Sequence, residues 1–259
     1  MKKKIVFIIP FLGGGGAEKV LADIINYLNN NKYDLFLVLF EKKGVHLPEI
    51  LSYIKIIDLK KRNRYSFFKM VFKLALLFKK IKPDIVISFM AYSNLVTILA
   101  KILSMVKFNL IISIHTLLSS ALFFARLKNI RKFLYKKLFN ISNYIIVPSI
   151  GIMKELVSAF NCNQDKIRVI NNPLDISKIE KLKEEPLGKN ELKNNILAVG
   201  RLTRAKGYTI LIRAYSLICD RIKENLVILG NGEEEVNLKK LAQDLGLHRG
   251  FDRRAKVLF

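Results

Sequence analysis

The residue types best suited to chemistry lie between residues 195 and 215. An apolar run typical of a buried strand leads to Gly200, and a segment with helical apolar spacing begins after Gly207. Between the two glycines stand Arg201, which can bind two phosphate oxygens at once, and Lys206, a compact positive charge. The amino end of the following helix adds free N–H groups and a positive dipole end. The spacing therefore predicts a phosphate-binding loop, with a solvated basic loop as the alternative.

A second cluster of candidate residues lies near the amino end of the chain. Residues 4–10 have the pattern of a first buried strand, and a helical pattern follows the glycines after it. Gly14, Gly15 and Gly16 lie between the two, where missing side chains allow a ligand to approach the backbone. Glu18 stands in the first helical turn, where the dipole favours an acid, so ligand binding and helix capping both remain open. The spacing differs from G-x-G-x-x-G, which argues against a nicotinamide cofactor.

Two further strand ends carry candidate residues. Residues 109–114 predict a strand that ends at His115, and residues 225–229 predict a strand that ends in glycines Gly230 and Gly232. In open α/β sheets, ligands bind outside the carboxyl ends of the strands. His115 is therefore a candidate catalytic residue, although a structural role for a lone histidine has equal weight. The two glycines are candidates for backbone contact with a ligand.

Together these motifs resemble glycosyltransferase family 4, the group 1 retaining enzymes of GT-B architecture. The match to the donor-diphosphate loop of the family consists of Gly200, Arg201, Leu202, Lys206 and Gly207. The other matching segments are the Gly-Gly-Ala-Glu turn at 15–18, the strand ending in His115, and the Gly-Asn-Gly sequence at 230–232.

The resemblance implies an α/β, GT-B-like fold with two Rossmann-like domains and a nucleotide diphosphate-sugar in the cleft between them. It implies that Arg201 and Lys206 bind the departing diphosphate, that His115 contacts the sugar, and that the turn at Gly14–Gly16 positions it. It also implies transfer to a lipid-linked saccharide in cell-surface polysaccharide synthesis. No cofactor beyond the donor substrate is expected, and no metal, because no carboxylate or His/Cys cluster has ligand spacing.

The chain divides by pattern into a first domain over residues 1–173, a polar linker over 174–193 and a partial second domain over 194–259. The family's paired glutamates, spaced E-x7-E, are absent, and the polar, basic segment beyond Leu247 does not resemble the family. We therefore expect an incomplete second domain with two strands, and a shortened product with little activity.

Positive charge is distributed unevenly along the chain. The net charge is +24, and the stretch Leu59–Lys154 contains 18 basic residues and one acid, Asp84. Within it, Arg64–Lys82 and Ser119–Asn140 predict two basic, aromatic helices. Each pattern fits either a core helix whose lysines extend to solvent or a helix that lies on an anionic membrane.

The positive charge of the chain also indicates which binding partners and which cellular location to expect. Large apolar residues interleave with the basic ones and no nucleic-acid-binding fingerprint is present, so nucleic acid is not the expected partner. A basic protein that binds nucleic acid or a membrane surface without catalysis remains the alternative function. Two cysteines, and apolar runs shorter than the about 20 residues of a membrane span, predict a cytoplasmic protein that is peripheral on the membrane.

Overall fold

The computed structural model describes residues 1–61, 63, 66–123, 127–185, 195–247 and 257–258. Contacts divide the chain into two compact units, Met1–Asp175 and Ile176–Phe259. Each unit has a parallel sheet of its own, and each is described by itself.

Unit 1 is built on seven parallel strands in the order β3-β2-β1-β4-β5-β6-β7. The strands are β1 (Lys3–Ile9), β2 (Tyr33–Leu39), β3 (Lys55–Asp58), β4 (Ile85–Phe89), β5 (Asn109–Ser113), β6 (Tyr144–Val147) and β7 (Ile167–Val169). The chain runs outward from β1 to β3 and then returns to place β4 on the other side of β1. In such sheets the point where the order reverses, here between β1 and β4, opens a crevice at the carboxyl ends of the strands.

Six α-helices accompany this sheet among the described residues of unit 1. They are α1 (Gly16–Tyr27), α2 (Phe67–Ile81), α3 (Ala91–Ser104), α4 (Leu118–Phe123), α5 (Lys128–Leu138) and α6 (Ile150–Phe160).

Both faces of the unit 1 sheet are buried, as the apolar β1 sequence requires of a central parallel strand. Successive side chains of a strand point to opposite faces, so Phe7 and Ile9 join one core, which includes α1. Val6 and Ile8 join the other core, to which α2, α3, α5 and α6 contribute. The same geometry places all seven carboxyl ends at one edge, which is where the candidate residues of unit 1 lie.

Unit 2 has three parallel strands in the order β10-β9-β8. Its elements are α7 (Ile176–Lys183), β8 (Asn195–Val199), α8 (Tyr208–Ser216), β9 (Asn225–Leu229), α9 (Glu235–Asp244) and β10 (Val257–Leu258). Its core combines α8, α9 and β9 with the loop residue Leu202. Leu197 and Val199 of β8 remain exposed, so part of the apolar surface of the sheet is uncovered among the described residues.

The structure corrects three expectations about elements. Ser119–Asn140 does not form one continuous helix: α4 and α5 are separate, and Leu127 between them has a left-handed φ of 60°. The predicted linker contains helix α7, while its residues 186–193 lie outside the described part of the chain. A third strand, β10, pairs with β9 where only two strands were expected.

The remaining expectations concern the start of the first basic helix, membrane-spanning helices and metal sites. Arg64, the first residue of the first predicted basic helix, lies outside the described part, and α2 begins at Phe67. Within the described ranges, no helix has the length and apolar character that crossing a membrane would demand. The same residues contain no group of three or more His, Cys, Asp or Glu side chains arranged to bind a metal ion.

Candidate active site

The glycines of unit 2 bring two loops into backbone contact. A Cβ on Gly230 would collide with the carbonyl oxygen of Gly200, and one on Gly232 would collide with the carbonyl oxygen of Leu202. Hydrogen bonds join the same loops, from the Gly200 N–H to Leu229 O at 3.0 Å and from the Leu202 N–H to the Asn231 carbonyl at 2.8 Å. Gly230 and Gly232 therefore shape the loop, and a direct ligand contact for them stays a prediction.

Both cations of the predicted phosphate loop are exposed. Leu202, which follows Arg201, is fully buried and anchors the loop in the core. The Lys206 side chain folds back, so that its Cε lies 3.9 Å from the position of a Cβ on Gly200. Arg204 pairs with Glu234 at 3.8 Å, whereas Arg201 and Lys206 form no ion pair with a described residue. Two exposed cations without an ion pair in the described part of the chain thus precede helix α8 in the sequence.

The glycine turn of unit 1 contains a buried acid. Glu18 is 4% exposed, and its carboxylate lies over Gly15 so closely that a Cβ there would collide with it. Gly15 is the N-cap of α1 and has no side chain that could cap the helix. The Glu18 carboxylate beside it lies where the helix dipole favours negative charge. This position fits a favourable interaction of Glu18 with the helix dipole, but the carboxylate accepts no hydrogen bond from a described residue.

His115 lies just beyond β5 in a defined environment. Ser113 Oγ is 2.8 Å from His115 Nε2, and the Phe89 ring stacks on the imidazole with centroids 5.4 Å apart and planes 13° apart. Nδ1 is enclosed and has no hydrogen-bond partner among the described residues. Burial lowers the pKa of His115, while the side chain of Asn172 acts in the opposite direction with a smaller effect. The imidazole is therefore neutral at neutral pH.

The backbone beside His115 is fixed from two sides. The Met90 N–H donates to the Ser113 carbonyl at 3.2 Å, and the Asn94 amide donates to it at 3.0 Å. Met90 itself has a φ of 73°, unusual for a residue other than glycine. After His115, the Glu155 carboxylate accepts from the N–H groups of residues 118 and 119 at 2.7 and 2.9 Å.

Sequence reasoning missed Ser113 and Phe89. A detectable signal existed for Ser113, because residues two apart in a strand share a face and residue 113 therefore lies on the side of residue 115. Phe89 belongs to another strand, and no pattern along the chain indicates that β4 and β5 are neighbours with Phe89 opposite Ser113.

Family models match most of the chain. The model for Glycosyltransferase Family 4 matches residues 14–178, and the model for Glycosyl transferases group 1 matches residues 179–252. This chain belongs to glycosyltransferase family 4. The family assignment made from the motifs is confirmed, and the match continues past Leu247, where the resemblance was expected to end. Membership also favours a transferase over the alternative of a basic binding protein without catalysis.

One similar protein sequence and two similar solved structures agree with this family assignment. An N-acetylgalactosamine-N,N'-diacetylbacillosaminyl-diphospho-undecaprenol 4-alpha-N-acetylgalactosaminyltransferase from Campylobacter jejuni is 30% identical, over 97% of this chain and 70% of that protein. Among solved structures, Anabaena HepE in complex with UDP and glucose matches with a TM-score of 0.73 at 21% identity, covering 99% of this chain and 69% of that one. Sucrose-phosphate synthase from Thermosynechococcus elongatus matches with a TM-score of 0.72 at 14% identity, covering 99% and 70%. These likenesses confirm the α/β, GT-B-like fold.

Proposed function

We propose that this family 4 glycosyltransferase moves a sugar from a nucleoside diphosphate sugar to a saccharide carried on a lipid diphosphate, in cell-surface polysaccharide synthesis. The observation that carries the donor half is the loop of unit 2, where Arg201 and Lys206 are exposed, form no ion pair with a described residue and precede α8 in the chain. The printed name of the Campylobacter relative, with its undecaprenol diphosphate-linked acceptor, supports the acceptor half.

The reaction breaks the bond between the anomeric carbon and the diphosphate oxygen, and the diphosphate leaves with the electron pair. The acceptor hydroxyl oxygen forms the new bond to the same carbon, and its proton passes to the departing diphosphate. Negative charge develops on the departing diphosphate, so Arg201 and Lys206 stabilise the transition state more than the ground state. We propose retention of configuration, as the family resemblance implies.

The residues of unit 1 act on sugar and acceptor in this proposal. The neutral His115 imidazole forms a hydrogen bond with the transferred sugar and orients it. In the turn at Gly14–Gly16, nothing lies within 4 Å of the position of a Cβ on Gly16, so a substrate can come close to the backbone there. Neither step requires a metal ion or a cofactor other than the donor.

An acceptor held in a membrane calls for a protein surface that reaches lipid. The α2 side chains Phe68, Phe72 and Leu76 are 80%, 57% and 51% exposed, and their i, i+4, i+8 spacing places them in one stripe. Exposed lysines such as Lys69 and Lys80 flank the stripe. We propose that this stripe, together with the basic helix α5, lies on the anionic cytoplasmic face of a membrane.

Ligand binding and turnover test the donor site. We expect the chain to bind UDP, and the Arg201→Ala/Lys206→Ala double variant to bind it far more weakly. A charge-assisted hydrogen bond contributes about 1.5–3 kcal/mol, so one lost contact weakens binding about 10-fold to 150-fold. Calorimetry with UDP measures the affinity, and transfer from UDP-N-acetylgalactosamine or UDP-glucose to a polyprenol diphosphate-linked saccharide measures the rate.

Matched controls keep this experiment specific. Arg213 on α8 and Lys240 on α9 are exposed cations of the same unit outside the loop. The Arg213→Ala/Lys240→Ala variant removes the same total charge and should retain UDP affinity. If the loop variant binds UDP as tightly as the control variant does, the assignment of the donor site is wrong.

A further inference from the structure

Ser113 is the least exposed polar contact of His115. The residue is 2% exposed, at the carboxyl end of β5, and its Oγ lies 2.8 Å from His115 Nε2. In the described part of the chain, this nitrogen is the one hydrogen-bond partner of the hydroxyl. The carbonyl of the same serine is bound by the Met90 N–H and the Asn94 amide, so its backbone position is fixed.

The buried hydrogen-bond groups favour one tautomer of the neutral imidazole. The Asn172 side chain also acts on the imidazole but makes no hydrogen bond of good geometry with either ring nitrogen. If the proton lies on Nδ1, Ser113 Oγ–H donates to Nε2 and the Nδ1–H is left without a partner among the described residues. If the proton lies on Nε2, that N–H donates to Ser113 Oγ, and then both the serine O–H and the bare Nδ1 lack partners. Unpaired buried polar groups cost free energy, so the arrangement with one unpaired group is the more stable.

We propose that Ser113 is a positioning residue that fixes His115 as the neutral Nδ1–H tautomer and so makes the histidine a hydrogen-bond donor to substrate. The stacked Phe89 ring restricts imidazole rotation, and the serine sets which nitrogen holds the proton. Nδ1 is enclosed in the protein without ligand, so the Nδ1–H gains its partner only after the groups that cover it move aside and an oxygen of the substrate lies beside it.

This assignment specifies the ligand chemistry. A donor nitrogen selects an acceptor oxygen, either a sugar hydroxyl or a phosphate oxygen, and it excludes His115 as the base that removes the acceptor proton through Nδ1. The substrate part of the inference rests on the proposed function, whereas the tautomer part is a property of the protein without ligand. The two parts can therefore fail separately.

Nitrogen NMR of the imidazole tests the tautomer directly. We expect the His115 signals, assigned by their loss in His115→Gln, to show a protonated Nδ1 and a bare Nε2. In Ser113→Ala the Nε2 partner is gone, and we expect the signals to shift toward a mixture of tautomers. Ser113→Thr retains the hydroxyl and should restore the wild-type signature. The matched control is Ser88→Ala on β4, a buried strand serine whose Oγ bonds Thr97 instead.

The proposal is overturned if the wild-type protein holds its proton on Nε2, or if Ser113→Ala leaves the signature as it was. The wild-type measurement decides the question even if Ser113→Ala does not fold. Ser88→Ala should leave the signature unchanged, and a shift in it equal to that of Ser113→Ala would show a general packing effect and overturn the assignment.

Turnover adds a test of the substrate part. One neutral hydrogen bond corresponds to about a threefold to tenfold change, so we expect Ser113→Ala to lower kcat by that factor with little change in the KM for the acceptor. Because the serine acts through the histidine, Ser113→Ala should add no further loss in the His115→Gln background. An additive loss contradicts the positioning role, while a confirmed tautomer without any effect on kcat overturns the substrate part alone.

Discussion

Burial of His115 determines how the stability of unit 1 responds to acid. Because burial lowers the pKa of His115, the folded state binds a proton less readily than the unfolded state, whose histidine has a pKa of about 6.5. The unfolded state therefore gains protons first as pH falls through about 6.5. Folding stability contributed by the neutral histidine is present above that pH and is lost progressively below it.

We predict that wild-type protein loses more thermal stability between pH 7.5 and pH 5.5 than the His115→Gln variant loses. The replacement cannot be protonated, so its unfolding midpoint lacks this part of the pH dependence. His46, which pairs with Glu49 at 2.8 Å, is common to both proteins and cancels in the comparison. Calorimetric midpoints at several pH values measure the difference. Parallel curves for the two proteins would mean that His115 is protonated equally in both states.

At the residue scale, the sequence predicted the types of the site residues better than their roles. Gly230 and Gly232 were predicted to allow backbone contact with a ligand, and the structure adds that Gly230 avoids a collision with the Gly200 carbonyl. That contact joins two loops 30 residues apart, and nothing local indicates it. The sequence does not distinguish ligand binding from helix capping for Glu18, because the helix dipole favours an acid at this position whether or not a ligand binds. The packing of its carboxylate over Gly15 places Glu18 at the amino end of α1 and leaves both roles open.

At the element scale, helices with buried stripes were predictable and their interruptions were not. The α2 pattern predicted a helix because its buried residues recur at helical spacing, including Met70, Leu74, Phe78 and Ile81. The break before α5 depends on Leu127 at a positive φ, a conformation that leucine rarely adopts without support from its surroundings. The sequence also left core and membrane roles open for α2, and the structure shows one face buried and an apolar stripe exposed.

The exposed stripe of α2 leads to a prediction about lipid. We expect the Phe68→Ser/Phe72→Ser/Leu76→Ser variant to bind anionic vesicles at least about tenfold more weakly than wild type, because three large apolar side chains no longer enter the interface. Binding by the wild type should fall as salt rises and should be weaker to neutral vesicles. Vesicle co-sedimentation measures both effects.

A variant with the same loss of exposed apolar surface elsewhere serves as the control for lipid binding. Ile210, Leu217 and Val236 of unit 2 are 74%, 78% and 78% exposed, and their replacement by serine should leave vesicle binding nearly unchanged. Equal weakening in the two triple variants would show that apolar exposure in general drives the binding, and would contradict the assignment to α2.

At the scale of the whole molecule, each unit has its own hydrophobic core. The cores of unit 1 are built from residues up to Ile167, and the core of unit 2 from Leu202 to Leu247. The α/β character and the repeated strand, glycine and helix order of both units were predictable, because parallel sheets require apolar strands alternating with helices. Strand β10 was not, because a two-residue strand carries too little pattern to identify.

Separate cores predict that the full chain unfolds in two transitions. Leu110 in β5 and Leu226 in β9 are both fully buried, and replacing either by alanine should cost about 2–5 kcal/mol. We expect Leu110→Ala to lower the unfolding midpoint of one transition and Leu226→Ala to lower that of the other.

UDP at about 100 times its Kd adds about 2.7 kcal/mol to the unfolding free energy of the unit that binds it. It should therefore raise only the transition that Leu226→Ala lowers, by several degrees for a unit of this size. Scanning calorimetry measures all of these shifts. A single transition lowered by both variants would show that the two cores unfold as one, and a UDP-dependent rise confined to the transition lowered by Leu110→Ala would place the nucleotide on unit 1 instead.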